Sequence, residues 1–81
     1  GGHTQGLAQA SLTRLLPGLV TVLGWDGCDH LGPVFEGDRL SFRHVPIEEF
    51  SLQDGRILRF ETRASRDGED VLLWTPIVVA V

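Results

Sequence analysis

The stretch Gly6 to Leu16, GLAQASLTRLL, constrains this chain more than any other, because it is the one long segment that reads as a helix. Leu7, Ala8, Ser11, Leu12, Leu15 and Leu16 recur at helical spacing and form one broad apolar or small-residue face. Gln9 and Thr13 fall on the other side, and Arg14 in the last turn suits the helix dipole. Thr4 is a candidate N-cap without the acidic or Gln partner of a capping box. Pro17-Gly18 then ends the helix, since proline is poorly tolerated in a helix interior and glycine accepts the left-handed geometry of a cap. Almost everything after Gly18 reads as strand. One apolar helix followed by a run of strands predicts an α+β domain in which an antiparallel sheet covers the helix.

Length sets the next bound. The 81 residues make a single domain. A domain of that size buries only about 60 to 65% of its unfolded surface, so its core is marginal. Cys28 is the one cysteine, which excludes an intrachain disulfide and fits a reducing compartment. Partner subunits are therefore an expected source of further burial. The net charge is −4, from seven basic and eleven acidic residues, and every basic residue is arginine. There is no basic run, which argues against nucleic-acid binding. No apolar run approaches the ~20 residues that span a bilayer, and no signal-peptide pattern opens the chain. The reading is a soluble, cytoplasmic protein. The absence of methionine, including an initiator, predicts a processed chain or a piece of a longer one.

The strands follow from local pattern. Leu19 to Trp25 is a near-continuous apolar run and reads as a buried strand. Asp26 to Gly32 reads as a loop, Pro33 to Phe35 as extended, and Glu36-Gly37-Asp38 as a turn. Leu40 to Phe50 begins as a strand with Leu40 and Phe42 on one face, then changes phase at Pro46, which predicts a bulge or an edge position. Asp54-Gly55 and Asp67-Gly68 are two hairpin signals. Between them, Leu58, Phe60, Thr62 and Ala64 alternate with Arg59, Glu61 and Arg63, the pattern of a strand with one core face and one solvated face. Glu69 to Val81 is apolar on both faces, divided by Pro76, and is expected to be covered on both sides.

Four features in this order resemble the C-terminal part of a hotdog-fold domain of the MaoC-like dehydratase (enoyl-CoA hydratase 2) family. They are Gln5-Gly6-Leu7 leading into a helix that closes on Leu15-Leu16-Pro17-Gly18; the strand end Leu23-Gly24-Trp25-Asp26; Gly32-Pro33-Val34-Phe35-Glu36-Gly37-Asp38-Arg39-Leu40, similar to the family's turn into a strand; and Arg66-Asp67-Gly68-Glu69-Asp70-Val71-Leu72 before the apolar last strand. The resemblance spans nearly the whole chain, 1–81, as one partial hotdog domain with a central helix wrapped by sheet. It implies acyl-CoA or acyl-carrier-protein thioesters as ligands, reversible water addition to an enoyl thioester as the reaction, and a homo- or hetero-oligomer joined through the sheet. No cofactor and no metal are expected, since a structural zinc site needs spaced Cys and His pairs and the chain has one cysteine.

The family's catalytic aspartate and histidine lie on a loop before the central helix, whereas only five residues precede Gly6 here and the first acidic residue is Asp26. What the resemblance carries over is Gly6, as a helix-start backbone N–H donor to the thioester oxygen. His3 is a candidate base beside it. Leu7 and Trp25 are the candidate substrate-side residues. A non-catalytic structural or acyl-binding hotdog subunit is the alternative, and a hotdog thioesterase ranks last because the helix carries no carboxylate. Elsewhere, Asp26, Cys28, Asp29 and His30 form the one dense group of metal-ligand types, more simply read as a solvated loop. Cys28 beside His30 has the residue types of a thiol nucleophile and base. His44 and Glu48 read as an exposed pair on a sheet face.

Overall fold

The computed structural model describes residues 2–81. Helix α1 (Gly2–Leu15) is followed by four strands: β1 (Leu19–His30), β2 (Ser41–Leu52), β3 (Gly55–Arg66) and β4 (Glu69–Ala80). The strands form one antiparallel sheet in the order β1-β4-β3-β2. This is the α+β arrangement expected, one helix on one face of a four-stranded sheet. Each strand has 12 residues, and strand length sets the 43 Å long axis of the molecule.

The helix begins one turn earlier than the pattern predicts, at Gly2 rather than Gly6. Thr4 is therefore inside it and buried, not at the cap. The buried stripe is Thr4, Ala8 and Leu12, with Ser11 and Leu16 half-buried beside it. Leu7 and Leu15 stay exposed, so the face that meets the sheet is narrower than the apolar spacing implies. The end is as read: the Leu16 N–H still reaches the Leu12 carbonyl at 3.0 Å, and Pro17 follows.

The core is the contact of Ala8 and Leu12 with the helix-side row of the two central strands: Leu58, Phe60 and Ala64 of β3, and Leu72, Trp74, Val78 and Ala80 of β4. Full burial of a side chain such as Leu12 contributes about 1.5 to 3 kcal/mol. The alternation predicted for β3 is present, with Arg59, Glu61 and Arg63 on the outer face. The outer row of β4, by contrast, is not covered. Leu73, Ile77 and Val79 are only half-buried there, because among the described residues no second layer lies on that side of the sheet.

Two boundaries differ from the local reading. Asp26 to His30 is strand rather than loop: Cys28, Asp29 and His30 pair with Trp74, Leu73 and Leu72, and irregularities between Trp25 and Cys28 absorb the glycine-rich sequence. The long apolar partner strand β4 overrides local propensity here. In the first hairpin Leu52 pairs with Gly55, so the loop is Gln53-Asp54, shifted by one from Asp54-Gly55. The second hairpin is Asp67-Gly68 as read, with φ of 51° and 82°, the left-handed pair of a tight two-residue hairpin turn. The irregularity predicted at Pro46 falls between Pro46 and Glu48. Pro76 does not divide β4, which runs through it while the ladder to β3 passes from Arg59↔Ile77 to Thr62↔Trp74. No helix is long and apolar enough to cross a membrane among the described residues.

Candidate functional site

The connection from β1 to β2 folds back over the N-terminal half of α1. Its turn is fixed by Asp38: the Asp38 N–H donates to the Phe35 carbonyl at 3.0 Å, and Asp38 Oδ2 accepts the Phe35 N–H at 2.7 Å. Gly37 takes a φ of 86° between them, a geometry that favours glycine. Arg66, at the end of β3, donates from Nη1 to the Pro33 carbonyl at 3.0 Å and to Asp38 Oδ2 at 3.2 Å. Its guanidinium carbon lies 5.6 Å from the centre of the Phe35 ring. The Phe35 N–H and then Arg66 hold the Asp38 carboxyl below its ordinary range, so it stays ionised.

The folded-back loop and the helix form an open groove of about 320 Å³ lined by His3 and Leu7 of α1, by Val34, Phe35 and Leu40, and by the turn residues Glu36 to Asp38, several of them exposed. That volume is at the lower end of small-ligand sites. The lining is apolar around an imidazole and two carboxylates. His3 and Leu7 are thus brought together, with the loop whose sequence carried the resemblance.

Gly6 is placed differently. It is the fifth residue of α1, and free helix N–H groups lie in the first turn, so its N–H falls within the helical ladder rather than at its open end. Trp25 is also elsewhere: it pairs with Pro76 on β1 and sits edge-on to Trp74, ring centres 6.1 Å apart. Cys28 Sγ and His30 Nε2 are 3.9 Å apart, but burial and then Asp29 push the thiol up, away from a thiolate. Asp26 is taken by Arg59 at 2.6 Å. No group of three or more metal-ligand side chains lies together among the described residues.

One arrangement went unread in the sequence. His44 faces the helix, with Nε2 2.9 Å from Ser11 Oγ and Nδ1 2.7 Å from Thr62 Oγ1. Glu48, expected beside it, instead meets Arg59 at 3.0 Å on the outer face. The signal was present, because His44 continues the Leu40-Phe42 alternation on the core side. Arg59 and Arg63, on the outer face, are each ion-paired to two carboxylates, Asp26 and Glu48 for one, Glu61 and Asp70 for the other.

Comparison of the chain with protein-family models, with curated proteins and with solved structures finds no match.

Proposed function

We propose that this chain is the helix-and-sheet portion of a hotdog-like domain that binds acyl thioesters, acyl-CoA or acyl-carrier protein, within a hydratase or dehydratase. The reaction adds the hydroxyl of water to the β-carbon and its proton to the α-carbon of an enoyl thioester, or reverses this. The observation that carries the reading is the cavity in which Leu7, Val34, Phe35 and Leu40 supply an apolar wall beside His3. The proton-transfer pair comes from outside these 81 residues. Asp38 does not substitute for it, because the Phe35 N–H and Arg66 keep it ionised and engaged.

A specific observation favours a second reading, a non-catalytic acyl-binding or structural subunit: the Asp38 carboxylate in the wall is held ionised and engaged by the Phe35 N–H and Arg66. A thioesterase ranks behind both. In either leading case the sheet edges invite a partner chain. Val20, Leu23 and Trp25 on β1, and Val45, Ile47, Phe50 and Leu52 on β2, are large apolar side chains left exposed. A cytoplasmic location belongs to the same proposal.

The test is titration of the chain with acyl-CoA thioesters of graded length, followed by enoyl-CoA hydration and thioester hydrolysis assays. Binding that weakens in a Leu7→Asp variant supports the cavity as the acyl site. Absence of binding to every thioester up to millimolar concentration removes both acyl readings. Hydration activity separates the first reading from the second.

A further inference from the structure

We infer that Ser11, His44 and Thr62 form a pH-sensitive pin that ties α1 to the sheet while His44 is neutral and releases it when His44 is protonated. This does not depend on what the cavity binds.

The geometry assigns the protons. Thr62 is fully buried, and His44 Nδ1, 2.7 Å away, is its side-chain hydrogen-bond partner among the described residues. If Nδ1 carried the hydrogen, the Thr62 oxygen would accept it, and the Thr62 hydroxyl hydrogen would be left in the core without an acceptor. If Thr62 donates to a bare Nδ1, Nε2–H donates to Ser11 Oγ at 2.9 Å, and half-buried Ser11 turns its own hydrogen toward solvent. The second arrangement satisfies every group. It also separates this cluster from a nucleophilic Ser–His pair, since His44 then gives Ser11 a hydrogen bond and has no lone pair aimed at the Ser11 proton.

Protonation removes that arrangement. A proton on Nδ1 forces Thr62 to accept and orphans the Thr62 hydrogen inside the core. Among the described residues nothing charged compensates. The neighbours of His44 are Ser11 from α1, the parallel Phe42 ring 6.5 Å away on its own strand, and Thr62 from β3. Arg43, Glu61 and Arg63 alternate onto the outer face, and His3 and Arg14 of α1 are exposed. Burial alone depresses the titration of His44. The imidazolium is best solvated by turning outward, which breaks both contacts. Ser11–His44 is the one side-chain hydrogen bond between α1 and the sheet among the described residues, so its loss leaves the helix held by apolar packing alone.

The experiment is nitrogen-15 NMR of the imidazole rings in the whole chain, with amide hydrogen exchange from pH 7.5 to pH 5 corrected for intrinsic rates. The expected result is an Nε2–H tautomer at pH 7.5, a His44 midpoint below the ordinary histidine value of about 6.5, and α1 protection that falls as pH drops from that ordinary value to the midpoint and is level below it, while β3 and β4 hold. A midpoint lowered by one pH unit corresponds to about a tenfold change in α1 protection. Thr62→Ser, which keeps the donor, retains the response, and His44→Phe abolishes it. An Nδ1–H tautomer at pH 7.5, α1 protection unchanged with pH, or an unchanged response in His44→Phe would each overturn the inference. Should that variant not fold, the tautomer of the wild-type chain still decides it.

Discussion

Arg66 and Asp38 stand 28 positions apart in the sequence and meet at 3.2 Å, which closes the β1–β2 connection over the start of α1. The same guanidinium nitrogen holds the Pro33 carbonyl, and its face lies on Phe35, so one side chain organises three points of the loop. Arg66→Ala is expected to speed amide exchange at Phe35 and Asp38 while leaving β3 and β4 protected. If the cavity is the acyl site, acyl-CoA affinity falls by about three- to tenfold, the size of one or two weak contacts. Exchange rates at Phe35 equal to those of the wild-type chain would show that the turn holds itself.

Gly6→Ala is expected to stabilise the chain. Gly6 is inside the helix and exposed, and a methyl group there meets nothing within 4 Å. Replacing an interior helical glycine by alanine contributes about 0.5 to 1 kcal/mol. Gly18→Ala has the opposite sign, because its added carbon would collide with the Val81 carbonyl oxygen next to the Val81 N–H to Gly18 carbonyl bond. Chemical denaturation of the two variants separates them. A destabilised Gly6→Ala chain would mean that Gly6 serves something other than helix formation.

The elements that local chemistry dictates were legible in the sequence. Pro17-Gly18 ends the helix, Asp67-Gly68 makes its hairpin, Pro46 marks the β2 irregularity, and the Leu58-Phe60-Thr62-Ala64 row faces the core. What was not legible depends on partners distant in the chain. Asp26 to His30 become strand only because β4 extends alongside them. The helix rotates so that Thr4, Ala8 and Leu12 are buried, since three small or medium side chains fit over the Trp74 row while Leu7 is left for the cavity. Of the candidate site residues, His3 and Leu7 converge, whereas Gly6 and Trp25 do not, because spacing along a helix does not reveal where the helix starts or which strand flanks it.

Trp74 is fully buried and its indole N–H has no hydrogen-bond partner among the described residues. Trp74→Phe therefore combines two opposed effects. The smaller ring leaves a void, while the unmatched donor, which costs about 1 to 3 kcal/mol, is removed. The net loss is expected to stay below about 1.5 kcal/mol. Leu12→Ala has no such relief and is expected to cost about 2 to 5 kcal/mol. Urea midpoints of the two variants rank them, and a Trp74→Phe chain as unstable as Leu12→Ala would indicate that the indole N–H is satisfied in solution, by a buried water for example.

Cys28 is expected to be a sluggish thiol. Burial, then the neighbouring Asp29, push its titration up, and only the thiolate is nucleophilic. Alkylation by iodoacetamide at pH 7 should run slower than for free cysteine and rise through pH 9 without a plateau. A plateau below pH 8 would instead place a thiolate beside His30, the role its 3.9 Å contact permits by distance alone.

Stability against pH follows from His44. Its folded titration lies below the ordinary histidine value of about 6.5, because burial disfavours the cation. Between those two values the unfolded chain binds a proton that the folded chain does not, so stability rises with pH in that window. The contribution is complete above pH 6.5, is lost as pH falls toward the folded midpoint, and is level below it. Thermal midpoints of the wild-type chain should accordingly drop from pH 7 to pH 5.5. His44→Phe keeps the aromatic ring against Phe42 and removes the titration, so its midpoints should be flatter over the same range. Asp38 adds a separate loss further into acid, since the contribution of its depressed carboxyl is complete above the ordinary carboxylate value and is lost as pH falls from there toward the lower folded value. A wild-type curve that is flat to pH 5.5 and falls only near pH 4 would assign acid sensitivity to the Asp38 turn and none to the histidine.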